Sequence, residues 1–294
     1  MPPPQARNSS EAAPWALSFD RTVPYHLRRW LASAWRAEVS AELAALHLAH
    51  LRHDEAVVPP EPAGPARTVL IDGVPLRVTA AGELYRLDDS SGGCQFDAAQ
   101  SPPVQLTSWG SKPELALYLA LTEIFRLHGW ISLHCSAVVE PGQKVAKLFL
   151  GRSGDGKTWR LLQLLRAGAM PLAEDRLWLR AADGLCVARD DSLRLLPDTR
   201  AAFADLLHGE GQLEADGKFR FRYTELRLSV MAPTPICCGE ILVLPSRGAP
   251  AAEQHSPALQ AVKALWEAAG LPLTPQARQL GEQFVAQFHA RIRL

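Results

Sequence analysis

The stretch Gly151 to Thr158, GRSGDGKT, fits the pattern G-x-x-x-x-G-K-[ST] without a gap. Glycines at 151, 154 and 156 permit backbone conformations that a Cβ would forbid. The N–H groups of Gly151, Ser153, Gly154, Asp155 and Gly156 can then converge on phosphate oxygens. A helix starting at Lys157 adds its positive end. Lys157 brings a mobile cation to the β- and γ-phosphates, and Thr158 offers a hydroxyl to Mg²⁺. The side chains of Arg152 and Asp155 are expected to point outward, so that only their N–H groups matter. The stretch lies between an apolar run, Leu148 to Leu150, and a helical pattern, TWRLLQLLRAG, as such a loop must. The chemistry this predicts is ATP binding with Mg²⁺.

Nucleotide chemistry also needs an acid group for the metal or the nucleophile. Glu174-Asp175 follows after one short helix, at the start of an apolar strand. Side chains alternate along a strand, so one carboxylate can face the phosphates and the other must turn away unless the chain bends there. A solvated acidic pair is the plainer reading. His134 sits in the strand pattern WISLHCSAVVE, where it is either a functional group or a histidine bonded to a backbone carbonyl. Lys218, Arg220 and Arg222 alternate in DGKFRFRY and share one face; Lys218 and Arg220 are the candidates for phosphate or substrate, with a solvated face as the alternative.

These residues need elements to hold them. Residues 1–18, rich in Pro, Ala and Ser, are expected to be a disordered tail. A helical stripe runs from Pro24 to Leu51, with His47, His50 and His53 at its solvated end, and a Pro-rich linker follows at 57–66. Residues 19–65 thus form a helical extension, and 66–110 a small β-rich part turning at Asp72-Gly73 and Ala81-Gly82. Residues 111–294 form the part that carries the glycine-rich loop, which the resemblance given below implies to be a catalytic domain. It holds an amphipathic helix from Lys112 to His128 ended by Gly129, strands around the glycine-rich loop, and a hairpin at Asp183-Gly184. A helical piece spans Arg200 to Leu207, further strands include ICCGEILVLPS, and a helical end is interrupted at Gly270-Leu-Pro272.

Lys plus Arg equals Asp plus Glu at 31 each, so net charge argues for neither nucleic acid nor an anionic membrane as partner. The 5 cysteines have irregular spacing and no CxxC pair, which speaks against zinc and against a disulfide framework. The N-terminus lacks an apolar signal region and no run is long enough to span a bilayer, so the expectation is a cytoplasmic protein.

The segment HCSAVVEPGQKVAKLFLGRSGDGKTWRLLQLLRAGAMPLAEDRLWL resembles the catalytic core of HPr kinase/phosphorylase and its shorter relatives, among them kinases that phosphorylate a serine of a lasso-peptide precursor. The matching parts are His134, Ser136-Ala137-Val138, Gly151 to Thr158, Gly168 and Glu174-Asp175. The resemblance is good over residues 112–180, weaker to 247, and absent over the first 65. It implies a mixed α/β (α+β) fold in which the P-loop sits in a curved sheet with flanking helices, as in PEP carboxykinases, preceded here by an N-terminal helical and β extension. It implies transfer of the ATP γ-phosphoryl group to a serine of a peptide or protein, and a homo-oligomer. It also implies Glu174 as general base, Asp175 with Mg²⁺, and His134 near the phosphates. Two departures stand out: the family has Asp-Asp where this chain has Glu-Asp, and Trp159 is bulky where relatives carry a small or acidic residue. No counterpart exists for the segment that supports the reverse, phosphorylase reaction. A catalytically decayed nucleotide-binding regulator or scaffold, and a small-molecule kinase, stay open as other readings.

Overall fold

The computed structural model describes residues 15–35, 46–71, 73–188, 190, 192–227, 232, 235–245 and 256–293. The chain divides into a unit that ends at Leu121 and a unit that begins at Thr122. Both contain mixed sheets, and the class is mixed α/β with flanking helices.

The first unit is built on β1 (Trp15–Phe19), α1 (Tyr25–Trp35), β2 (Leu46–His53), β3 (Ala66–Ile71), β4 (Val74–Ala81), β5 (Leu84–Asp88), β6 (Gly92–Asp97) and β7 (Val104–Gly110). Its 7-stranded sheet runs in the order β1-β2-β7-β6-β5-β4-β3. From β3 to β7 it is an antiparallel meander, turned at Gly73 and Gly82 in left-handed conformation, which supports the β-rich expectation for 66–110. The expected helix over Pro24–Leu51 is corrected: α1 ends at Trp35, residues 36–45 lie outside the described residues, and 46–53 form a strand. Leu46 and Ala49 fall at helical spacing, whereas Leu46/Leu48 and Ala49/Leu51 alternate as in a strand, and parallel pairing with β1 and β7 decides for strand. The same pairing corrects the disordered tail over 15–18, because Trp15, Ala16 and Leu17 are buried in β1; residues 1–14 lie outside the described residues. The three histidines are therefore not a helix end. His47 Nε2 and His50 Nδ1 share the Ser18 hydroxyl at 2.7 and 2.6 Å, and buried His53 meets Ser108 Oγ at 2.9 Å.

Across the boundary runs α2 (Glu114–Leu127), stopped by left-handed Gly129. The second unit continues with β8 (Trp130–His134), β9 (Ser136–Val139), β10 (Val145–Leu150), α3 (Lys157–Arg166), β11 (Met170–Ala173), β12 (Arg176–Arg180), β13 (Leu185–Ala188) and β14 (Ser192–Leu195). Then follow α4 (Pro197–Ala202), β15 (Gln212–Leu213), β16 (Phe219–Arg222), β17 (Ile236–Val243), α5 (Pro257–Ala269), α6 (Pro275–Phe288) and β18 (Ile292–Arg293). The main sheet has the order β11-β9-β10-β17-β13-β12-β8, with β18 on β17; β14, β16 and β15 form a separate small sheet. β16 ends at Arg222, where a 3₁₀ turn begins.

Two runs of chain bend in this sheet. β8 and β9 are one run broken at Cys135; β11 and β12 are one run broken at Glu174-Asp175. β8 pairs with β12 and β9 with β11, so the bends face each other. Cys135 N–H donates to Asp175 O at 3.0 Å and Ser136 Oγ to Glu174 O at 2.6 Å. The sheet path that starts at β11 and ends at β8 is thus joined through the bends.

The core explains the apolar runs. Leu148 and Leu150 of β10 face a cluster with Ile241, Leu265, Phe284 and Phe288, whereas Phe149 faces the other way, onto Leu161, Leu162, Phe203 and Phe221. A strand buried on both faces reads as continuous apolar sequence. The α5–α6 connection is tied to α2 by a buried ion pair. Glu123 accepts from the N–H groups of Leu273 and Thr274 and from Arg126 Nη1, which also donates to Leu271 O at 2.9 Å. Arg126 Nη2 caps α5 through Ala269 O and Gly270 O. Glu123→Ala leaves that guanidinium buried without its partner, and unfolding in urea is expected to show a loss of about 3–5 kcal/mol; a loss below about 1 kcal/mol contradicts the role given to this pair.

Candidate active site

The loop from Gly151 to Gly156 leaves β10 and feeds α3. β10 is fixed on both sides, parallel to β17 and antiparallel to β9, so the loop is held at the base by the centre of the sheet. Gly154 and Gly156 lie at φ 91° and 92°, a region closed to most side chains, and Gly156 is the residue from which α3 starts. A Cβ at Gly151 would come within 3.1 Å of the Asp155 Cβ, so the third constraint is space rather than φ. The outward orientation expected for Asp155 is corrected, whereas the Arg152 side chain is exposed. The Asp155 carboxylate turns back and accepts from Arg152 N–H at 2.6 Å, bracing the turn, and Asp155 N–H donates to Arg152 O at 3.2 Å. The Arg152 guanidinium reaches α5, where Nη2 meets Glu267 Oε1 at 3.2 Å.

Lys157, the first residue of α3, is buried and folds over the loop, donating from Nζ to Gly151 O (2.9 Å) and Arg152 O (3.1 Å). Desolvation pulls its pKa below the usual lysine value, partly offset by the charges of Asp175 and Asp155. Thr158, one residue on, donates from Oγ1 to Glu174 Oε1 at 2.5 Å. The end of the loop and the acidic pair are therefore in direct contact. Trp159 turns to the other side of the helix, edge-on to Phe203 with ring centroids 4.8 Å apart.

The strand carrying the pair does not lie next to β10: β9 stands between them. The bend at Glu174-Asp175 brings Glu174 to Thr158 and Asp175 to His134. Glu174 is buried against Thr158, and desolvation pushes its pKa up to about 7. Asp175 is more exposed, with Oδ1 3.4 Å from His134 Nδ1 and Oδ2 3.5 Å from Arg176 Nε. His134 ends β8 directly opposite Arg176 in the ladder, which is why it arrives beside Asp175.

Asp190 holds the bend. One of its oxygens, Oδ2, accepts from the consecutive N–H groups of Glu174 (3.0 Å), Asp175 (2.7 Å) and Arg176 (2.8 Å). Burial raises its pKa despite these bonds. The sequence reading missed this residue; the only hint was an acidic pair directly after an apolar strand. Of the basic candidates, Arg220 is engaged with Glu214 at 2.8 Å rather than with the loop. Lys218 lies within 4.0 Å of Asp216 and close enough that its charge offsets part of the rise at Glu174. A cavity of about 230 Å³ opens beside His134, lined by Gly151, Arg152, Ser153, Ala264, Glu267 and Ala268. Among the described residues no group of three or more His, Cys, Asp or Glu could hold a metal, and no helix is long and apolar enough to cross a membrane. No protein-family model matches the chain, and no curated protein matches it.

Two outcomes follow from the buried acids. A carboxyl whose pKa is raised on folding contributes fully to stability below its ordinary pKa and loses that contribution as pH rises through the folded value. Without nucleotide or metal, Glu174→Gln is expected to gain on the wild type between about pH 5 and pH 8, by about 3 kcal/mol at the upper end; parallel unfolding curves at both ends contradict the buried placement. Asp190→Ala strands three amides and is expected to cost at least about 2 kcal/mol in chemical unfolding, with Asp190→Asn between it and the wild type.

Proposed function

We propose that the chain is a kinase that transfers the γ-phosphoryl group of ATP to a hydroxyl, with a serine of a peptide or protein as acceptor and Mg²⁺ as the metal. The observation that carries this reading is the 2.5 Å hydrogen bond from Thr158 at the end of the glycine-rich loop to Glu174, whose neighbour Asp175 meets His134. The resemblance to HPr kinase-like enzymes supports the same class of reaction.

The residues fit the groups. Lys157 is an ammonium short of compensation for its burial, and exchanging two carbonyls for phosphate oxygens supplies it. The Thr158 hydroxyl and the Glu174 carboxylate are hard oxygen donors, the type Mg²⁺ takes alongside phosphates and water rather than in an all-protein cage. When bound there, Mg²⁺ neutralises phosphate charge.

The two acids divide the work in the opposite sense to the family assignment of Glu174 as base. The contact with Thr158 supports a role for Glu174 on the metal side. The contact of Asp175 with His134, which lines the cavity next to Gly151, Arg152 and Ser153, supports Asp175 as the group that takes the acceptor's proton. In the reaction the serine hydroxyl gives its proton to Asp175 and its oxygen bonds to the γ-phosphorus. The bond from that phosphorus to the bridging oxygen breaks, and ADP leaves with the electron pair. His134 orients Asp175 for this transfer. Homo-oligomerisation and a place in peptide tailoring rest on the resemblance alone.

Phosphate transfer from labelled ATP to serine peptides, read beside nucleotide binding, tests the proposal. Lys157→Ala is expected to weaken ATP use by about 10²-fold or more. Asp175→Asn is expected to lower kcat by about 10²–10⁴ while nucleotide still binds, and Glu174→Gln to raise the Mg²⁺ concentration required. Nucleotide binding that depends on Lys157, with no transfer to any hydroxyl, would favour a regulatory or scaffold protein instead.

A further inference from the structure

The cavity beside His134 has two walls. One is the first half of the glycine-rich loop; the other is α5, through Ala264, Glu267 and Ala268. The alanines leave the space open. Arg152 and Glu267 carry the charge at its rim and pair with each other across it at 3.2 Å. Both side chains are about half exposed, so the pair is screened by solvent and contributes little to stability. It can open without disturbing the fold.

Phosphates held by the loop amides would add negative charge to the cavity that Gly151 and Ser153 line together with Arg152 and Glu267. Attraction then draws the guanidinium from one carboxylate towards a more highly charged anion. Glu267 is left with its counter-ion withdrawn and with phosphate charge nearby. A negative acceptor would meet repulsion there, a neutral one would leave the carboxylate uncompensated, and a cationic one would replace Arg152.

We infer that Glu267 is a cation subsite that nucleotide binding exposes, selecting acceptors with a lysine or arginine side chain next to the serine. This rests on the phosphotransfer reading for the position of the acceptor, and it makes binding ordered: nucleotide first, cationic acceptor second. Arg152 is the switch between the two partners of Glu267.

The test uses three synthetic peptides with a central serine flanked by Lys, Gln or Glu, titrated calorimetrically onto the full chain with and without a non-hydrolysable ATP analogue and Mg²⁺. The Lys peptide is expected to bind about fivefold or more tighter than the Gln peptide, and only with the analogue present. Glu267→Gln should erase the preference, Glu267→Arg should reverse it towards the Glu peptide, and Arg152→Gln should make the preference appear without nucleotide. Equal binding of the three peptides with the analogue present, or a preference unchanged by Glu267→Arg, overturns the inference even if phosphate transfer is observed. Charge-selective binding without transfer from ATP supports the inference and counts against the kinase reading instead.

Discussion

The site depends on a bent pair of strands held by a buried carboxylate. A straight strand would turn Glu174 and Asp175 to opposite faces, and at most one could reach the glycine-rich loop. The chain breaks its pairing at these residues, passing from β9 as neighbour to β8, and the freed amides need an acceptor. Asp190 provides it for three consecutive N–H groups through one oxygen. Without that acceptor the bend would carry unpaired buried donors, each costing about 1–3 kcal/mol.

The opposing bend at Cys135 is equally necessary. It lets β8 deliver His134 next to Asp175 and lets β9 stand between β10 and β11, so that α3 spans from the loop to the strand carrying the acids. Thr158 in the first turn of α3 then meets Glu174 without a long loop on either side. The loop leaves a strand that is buried on both faces and paired on both edges, so its base is fixed by the sheet.

The loop was legible in the sequence because its requirements are local: left-handed glycines, a lysine and a threonine at fixed spacing, and an apolar run on one side with a helix on the other. Helix ends marked by Gly129 and by Gly270-Leu-Pro272 were legible for the same reason. Asp190 was not, because its partners are brought to it by the strands between them rather than by sequence neighbourhood. The strand at Leu46–His53 was misread because Leu46 and Ala49 continue a helical spacing, although Leu46/Leu48 and Ala49/Leu51 alternate, and pairing with β1 and β7 chose between them. The Asp155 side chain was misjudged because a pattern of residue types does not say that a carboxylate will brace its own turn, and the same pattern does not show that α5 will present Glu267 to Arg152. Likewise the acidic pair was legible as a pair, but which acid meets Thr158 was set by the bend.

The central claim is that Glu174 serves the metal side of the site and Asp175 the acceptor side. A crystal structure of the chain with a non-hydrolysable ATP analogue and Mg²⁺ tests it most directly. The account predicts phosphates under the amides of residues 151–158, Mg²⁺ about 2.1 Å from Thr158 Oγ1, Glu174 beside that ion, and Asp175 still next to His134. Mg²⁺ bound by Asp175 with Glu174 turned away, or a loop left empty with nucleotide bound elsewhere, would contradict it.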